Sequence, residues 1–79
     1  MELTNAQRRM LKLLADHERV VTRELSERME CTDEELLLEA VAVPLCEDGL
    51  ARLCLNISGG PNWYEITPRG RELLRAGDG

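Results

Sequence analysis

Aromatic residues are almost absent from this sequence, which has 79 residues but only one Trp, one Tyr and no Phe. A chain of this length builds one small domain and buries only about 60% of the surface that its unfolded state exposes. Aromatic side chains cannot supply that core, so the fourteen leucines must do so. The length also leaves no room for a multidomain enzyme or a separate ligand-sensing domain.

Patterns typical of metal-binding, secreted and membrane-spanning proteins are missing as well. The three cysteines form no Cys-x-x-Cys pair and His17 is the only histidine, whereas a zinc site needs three or four ligands at compatible spacing. The N-terminus has no apolar signal core, and no apolar run approaches the 18 or so residues of a membrane span. We therefore expect a reduced, cytoplasmic protein without a metal or other cofactor, whose Cys31 is either a reactive thiol or a small half-buried side chain.

Catalytic constellations are not recognisable either. No Ser/His/Asp, Cys/His or paired-carboxylate spacing recurs on a common helix or strand face, and Gly59-Gly60 lies in a turn between strands rather than before a helix. The sequence therefore predicts a protein that is not an enzyme.

Basic residues are absent from the middle of the chain. Ten Lys and Arg face fifteen Asp and Glu, which gives a net charge of −5. Residues 1–30 balance to zero and residues 51–75 carry +2, but residues 31–50 hold six acids and no base. The total argues against a general affinity for nucleic acids or anionic membranes, and the third predicted helix carries most of the excess.

The first third of the chain shows helical periodicity interrupted by one β-prone pair. It predicts a helix over 5–17, a short strand at Val20-Val21 and a helix over 23–29. Thr4 and Gln7 have the spacing of a capping box for the first helix, and Thr22 is a favoured N-cap for the second.

Residues 32–49 predict a third helix with an acidic first turn. Thr32 and Glu35 repeat the capping-box spacing, so Thr32 is the expected N-cap. Pro44 lacks a backbone donor and should kink or restart the helix, and Gly49 should end it. Leu36-Leu37-Leu38 spans too wide an arc for one small core, so Leu36 or Leu38 should lie on the surface.

From Leu50 onward the period changes to two. Ala51, Leu53, Leu55 and Ile57 share one strand face, a turn follows at 58–62, and a second strand covers 63–66. Thr67-Pro68 supplies an N-cap and a first helical residue for a short last helix. The domain should span 1–76, and residues 77–79 should form a disordered tail.

This order of elements resembles a winged helix-turn-helix domain, and it is most similar to the DNA-binding core of MarR-like and PadR-like bacterial regulators. The resembling segments are Leu3-Thr4 with Gln7, Val21-Thr22-x-x-Leu25, Leu45-Cys46-Glu47-Asp48-Gly49-Leu50, and Tyr64-Glu65-Ile66-Thr67-Pro68-Arg69-Gly70-Arg71-Glu72-Leu73-Leu74. The resemblance covers about residues 3–75. It implies an α+β fold with a three-helix core, a short strand, a two-stranded β-hairpin wing and a short C-terminal helix.

The resemblance also implies how such a domain meets DNA. The third helix would enter the major groove with its exposed positions within 32–43, and the wing tip at 58–62 would touch the backbone or minor groove. The sequence departs from this pattern, because the helix presents Asp33, Glu34, Glu35 and Glu39 with Thr32 as its only favourable donor, and the wing tip is uncharged. Any affinity for DNA should be weak and strongly dependent on salt.

Two functions remain open at this stage. The first is a small DNA-binding transcriptional regulator that contacts double-stranded DNA through Arg23, Arg28, Thr32, Arg52, Asn56, Arg69 and Arg71. The second is a protein interaction module with little or no DNA affinity, whose surface would include Glu34, Glu35, Leu36, Leu38 and Trp63. A monomer and a homodimer are both compatible with the sequence.

Overall fold

The computed structural model describes residues 3–77, which form four helices and three short strands. In chain order they are α1 (Asn5–Asp16), β1 (Val20–Val21), α2 (Thr22–Arg28), α3 (34–47), β2 (Ala51–Cys54), β3 (Trp63–Ile66) and α4 (Pro68–Gly77). The strands form an antiparallel sheet in the order β1-β3-β2. The α+β winged-helix architecture expected from the sequence is confirmed.

Helix α1 begins as its capping box predicts. The Gln7 N–H donates to Thr4 Oγ1 at 3.1 Å, and the Thr4 N–H donates to Gln7 Oε1 at 3.0 Å. The helix ends at Asp16, one residue earlier than expected, because His17 adopts an extended conformation as the C-cap.

The starts of α2 and α3 both differ from the prediction. Thr22 is the first helical residue of α2 rather than its N-cap, and Val21 takes the cap position without a side-chain bond. In the turn that follows α2, Asp33 caps α3 by accepting from the Leu36 N–H at 3.1 Å. The expectation that Thr32 caps α3 is therefore wrong, because an equally good acceptor one residue later matches the geometry of the chain.

Helix α3 is continuous but irregular. It consists of an α-helical turn Glu34–Leu37, a π-helical turn Leu38–Ala42 and an α-helical segment Val43–Glu47. Pro44 lies in the first turn of the last segment, directly after the π-helical turn, and it cannot donate a backbone N–H to that turn. The π-turn provides the restart expected at this proline, and Gly49 ends the region at a φ of 75°.

The sheet turns one face to the helices. Tyr64 and Ile66 of β3 are buried, as is Ala51, the first residue of β2. Leu53 and Leu55 follow Ala51 on the same face by alternation but are exposed, because the helices cover only the first part of the hairpin. The expected apolar strand face therefore exists, and most of it lies outside the core.

The core is aliphatic, as the scarcity of aromatic residues requires. Met10, Leu11 and Leu14 of α1 are fully buried at its centre, and α4 covers it from one side. Gly70 permits that close approach, because a Cβ atom there would collide with the Leu50 carbonyl oxygen. Helix α4 continues through Gly77, and residues 78–79 of the expected tail lie outside the described residues.

Candidate nucleic-acid interface

The outer face of α3 is acidic and aliphatic. Glu34, Glu35 and Glu39 are all exposed to solvent, and none of them makes an ion pair within residues 3–77. Leu36 and Val43 are 57% and 44% exposed on the same helix. Because α3 contains no Lys, Arg, Asn, Gln, Ser or Thr, it offers no side-chain donor to a phosphate or a base edge.

The three consecutive leucines of α3 have three different environments. Leu37 is 3% exposed in the core, Leu38 is half-buried and packs against the core, and Leu36 is the exposed one. Leu36 also lines an apolar groove of about 390 Å³ between α1 and α3, together with Ala6 and Ala40. The leucine run therefore leaves one aliphatic side chain on the surface, as its arc predicted.

Two of the arginines proposed as DNA contacts are already paired. The Arg28 Nε–H donates to Glu24 Oε1 at 2.9 Å along α2, in a pair in which both side chains are largely exposed. Arg52 donates to Glu65 across the hairpin, at 2.7 Å from Nη2 and 3.1 Å from Nε. The exposed Arg28–Glu24 pair contributes little to stability, so a phosphate could replace Glu24 at small cost. Glu65 is more buried, because only 23% of its side chain is exposed.

Arg23 is in a different situation. It is the second residue of α2 and is exposed, and it makes no ion pair or hydrogen bond within the described part of the chain. Thr32 is likewise exposed in the turn before α3, with its hydroxyl not needed as a cap. Arg23 and Thr32 are therefore available to a ligand that binds the helix-turn-helix formed by α2, the turn and α3.

The outer face of the sheet carries a connected cluster that sequence reasoning did not find. The Trp63 Nε1–H donates to Glu65 Oε2 at 2.8 Å while Arg52 occupies Oε1, and the Arg19 guanidinium lies 4.8 Å from the centre of the Trp63 ring. The hydrogen bond from Trp63, and then those from Arg52, hold the pKa of the Glu65 carboxyl below its usual value. Only the register that pairs Arg52 with Glu65 reveals the cluster, and no sequence spacing encodes it.

The wing loop is held together by its own amides. The Asn56 N–H donates to Asn62 Oδ1 at 2.9 Å, and Asn56 Oδ1 accepts from the Ser58 N–H at 3.0 Å. Asn56 Nδ2 also donates to the Pro61 carbonyl at 3.5 Å. The Asn56 side chain is therefore committed to the loop, and its proposed role as a DNA contact has no support in this geometry.

Arg69 and Arg71 lie away from the wing. Both are exposed in the first turns of α4, which starts directly after β3. The wing turn joins the opposite end of that strand, so the hairpin separates these arginines from the wing tip. The basic candidates thus lie on three different elements, α2, β2 and α4.

The cysteines are packed rather than clustered. The Cys31 Sγ–H donates to the Asp33 carbonyl at 3.3 Å, and its side chain packs against the core. Burial raises the pKa of the Cys46 thiol. Within residues 3–77, no three His, Cys, Asp or Glu side chains group as a metal site, and no helix has the length and apolarity to cross a membrane.

No family model and no curated protein matches the chain, but solved structures do. BldR, a transcriptional regulator from Sulfolobus solfataricus, superposes with a TM-score of 0.83 at 25% identity over 96% of this chain and 53% of its own. A ZitR mutant from Lactococcus lactis in complex with DNA gives 0.81 at 17% identity, over 94% and 49%.

A MarR family transcription regulator gives a TM-score of 0.80 at 20% identity, over 94% of this chain and 48% of its own. The chain therefore spans about half the length of each of these regulators. None of the three is described as an enzyme. The observed fold and the superposed structures agree: the chain is a winged helix-turn-helix domain that resembles the DNA-binding core of MarR-like transcriptional regulators.

Proposed function

We propose that this chain is the DNA-binding domain of a transcriptional regulator. The observation that carries the proposal is the helix-turn-helix itself, in which a short α2 and a capped turn present one whole face of α3 to solvent. In such domains the second helix of the motif lies in the major groove while the first crosses the backbone. The likeness to a ZitR structure in complex with DNA supports DNA binding by this fold.

The phosphate contacts of this domain would come from outside α3. Arg23 is exposed at the start of α2, the helix that crosses the backbone, and Thr32 lies in the turn beside it. Arg28 and Arg52 would join them by exchanging Glu24 and Glu65 for phosphates. Arg69 and Arg71, at the other end of the hairpin, are left out of this set.

Such an interface binds weakly because it has few cations and several nearby acids. Each phosphate that is neutralised contributes a slope of about −0.9 to the dependence of log K on log salt. Three or four contacts therefore give a slope of about −3, compared with about −10 for a strongly basic repressor. The carboxylates of α3 oppose binding at the same time, so the salt dependence is shallower than the sequence alone suggested.

A titration of labelled duplex DNA tests the proposal. Fluorescence anisotropy of a random duplex at low salt should show micromolar binding that Arg23→Ala weakens, since Arg23 is the unpaired cation of the helix-turn-helix. Arg75→Ala is the matched control, because it removes the same charge from an exposed site on α4. Equal effects of the two substitutions would indicate non-specific attraction to net charge and would contradict the proposed orientation.

The second candidate function, binding of a protein partner through α3, has one specific observation in its favour. The helix exposes two aliphatic side chains, Leu36 and Val43, together with three acidic ones, Glu34, Glu35 and Glu39. Such a surface is suited to a protein rather than to a polyanion. The same titration separates the two functions. Absence of any anisotropy change at low salt would favour the interaction module.

A further inference from the structure

Strand β2 forms one edge of the sheet. Only β3 pairs with it among residues 3–77. The Thr67 N–H donates to the Leu50 carbonyl at 3.1 Å, so the even-numbered residues of this strand turn their backbone groups towards β3. The N–H and C=O groups of Leu53 therefore point outward, to the open edge. The same alternation, continued one residue beyond the strand, turns those of Leu55 outward as well.

The same edge carries an aliphatic surface. Leu53, Leu55 and Ile57 are 46%, 67% and 99% exposed, and none of the other residues from 53 to 62 is charged. Edge strands of soluble proteins are usually protected from association by Lys, Pro or inward-pointing charges. Here β2 contains no Lys or Pro, and the nearest proline after it is Pro61 in the wing turn, so β2 lacks these protections.

The distribution of charge favours a second copy of the chain as the partner at this edge. The chain carries a net charge of −5, so two copies repel each other over most of their surfaces. Residues 53–64 are uncharged, and the neighbouring Arg52 is neutralised by Glu65. The wing is thus the surface on which a second copy meets aliphatic side chains and open backbone groups without meeting like charge.

We propose that β2 pairs antiparallel with β2 of a second copy, with Leu53 opposite Leu55 of that copy, to give a six-stranded sheet across a two-fold axis. This register sets both exposed leucines of each copy against those of the other, on one face of the sheet. It also sets Arg52 opposite Asn56 of the second copy, so no like charges meet across the strands. This assembly goes beyond the proposed DNA binding and does not depend on it.

The register makes a geometric prediction about Cys54. This residue is a free, half-buried cysteine on the outer sheet face, and it would lie directly opposite Cys54 of the second copy. Residues at such a non-hydrogen-bonded antiparallel position have Cα atoms about 4.5 Å apart, which is within the range that a disulfide spans. Cys31 and Cys46, on other elements, have no such neighbour in this assembly.

Sedimentation velocity over a concentration series tests the assembly. The wild-type chain should change from monomer to dimer as its concentration rises through the micromolar range. Leu55→Ser with Ile57→Ser should raise the dimer dissociation constant at least about tenfold, because four aliphatic side chains lose their burial in each dimer. The control pair, Leu36→Ser with Val43→Ser, also removes two exposed aliphatic side chains, but from α3, and should change the dimer dissociation constant less than about twofold.

Crosslinking tests the register. Diamide takes two electrons and two protons from a pair of thiols, so a disulfide forms and diamide becomes the hydrazine. A covalent dimer should form in the wild type and be lost in Cys54→Ser but not in Cys31→Ser or Cys46→Ser. A chain that stays monomeric at about 1 mM would overturn the proposal. So would a dimer that the α3 variant dissociates, or a dimer that Cys54 does not crosslink.

Discussion

Removal of the acidic side chains from α3 should strengthen DNA binding. Glu34, Glu35 and Glu39 are exposed on the helix that would face the major groove, so the triple change to Gln removes three negative charges without altering a buried contact. A carboxylate about 7 Å from a phosphate is repelled by about 0.6 kcal/mol in water, and salt at about 0.1 M roughly halves that value. Because each carboxylate approaches about two phosphates, the three together cost about 1.8 kcal/mol, which corresponds to about twentyfold in affinity.

The assay is an anisotropy titration of one labelled duplex with both proteins at the same ionic strength. The control is the triple change Asp16→Asn, Glu18→Gln and Glu72→Gln, which alters the net charge by the same amount at exposed sites outside the helix-turn-helix. It should raise affinity by less than about threefold, because these carboxylates lie on elements that are not placed against the DNA. Equal gains in the two triple variants, or no gain in the α3 variant, would refute the placement of α3 against DNA.

Three further predictions concern stability. Gly70→Ala should lower the free energy of unfolding by about 1–3 kcal/mol in chemical denaturation, because the new Cβ atom collides with Leu50. Arg71→Ala, on the exposed side of α4, should change this free energy by less than about 0.5 kcal/mol. Equal effects would exclude close packing as the reason for the glycine. Asp33→Ala should cost about 1 kcal/mol and Thr32→Ala much less, and the reverse order would restore Thr32 as the cap of α3. The hydrogen bonds that Glu65 accepts lower the pKa of its carboxyl. The contribution of Glu65 to stability is therefore complete above about pH 4.5 and is lost as the pH falls through the lower pKa of the folded state. The melting temperature of Glu65→Gln should differ from that of the wild type at neutral pH and converge with it in acid.

The sequence predicted the elements of this fold because their start and stop signals are local. The capping box at Thr4, the glycine at position 49 and the Thr67-Pro68 start all act within one helical turn of the residues they organise. The Gly70 N–H, for example, donates to Thr67 Oγ1 at 3.1 Å, as an N-cap requires.

Predictions failed where two local signals compete or where the outcome depends on distant packing. Thr32 and Asp33 are both good caps, and the choice between them depends on the turn after α2, in which Glu30 takes a φ of 55°. A left-handed glutamate has no sequence signature, since glycine usually occupies that position. The alternation after Ala51 likewise predicted which residues share a face, but it could not predict where the helices stop covering that face.

The charge map could be read from the sequence, but the pairing of individual charges could not. The charged residues between positions 31 and 50 are all acidic, and the structure exposes four of them on α3, namely Glu34, Glu35, Glu39 and Glu47. The ion pair of Arg52 with Glu65 required the hairpin register, which depends on the length and conformation of a wing loop closed by Asn56 and Asn62. The list of available cations was therefore longer in the sequence than it is in the structure.

The likeness to known regulators and the acidity of α3 concern different sets of residues. A TM-score near 0.8 at 17–25% identity means that the winged-helix fold tolerates a different residue at most of its positions. Its core in this chain depends on inward-facing side chains such as Leu14 and Leu45, which are fully buried. Binding to DNA depends on the outward-facing set, in which a few charges change affinity by orders of magnitude. Glu34, Glu35 and Glu39 belong to that set and leave the core unaltered, so the same fold is compatible with a weak DNA reader and with a protein-binding domain. The titration of the α3 variant distinguishes them because it changes only the outward-facing charges.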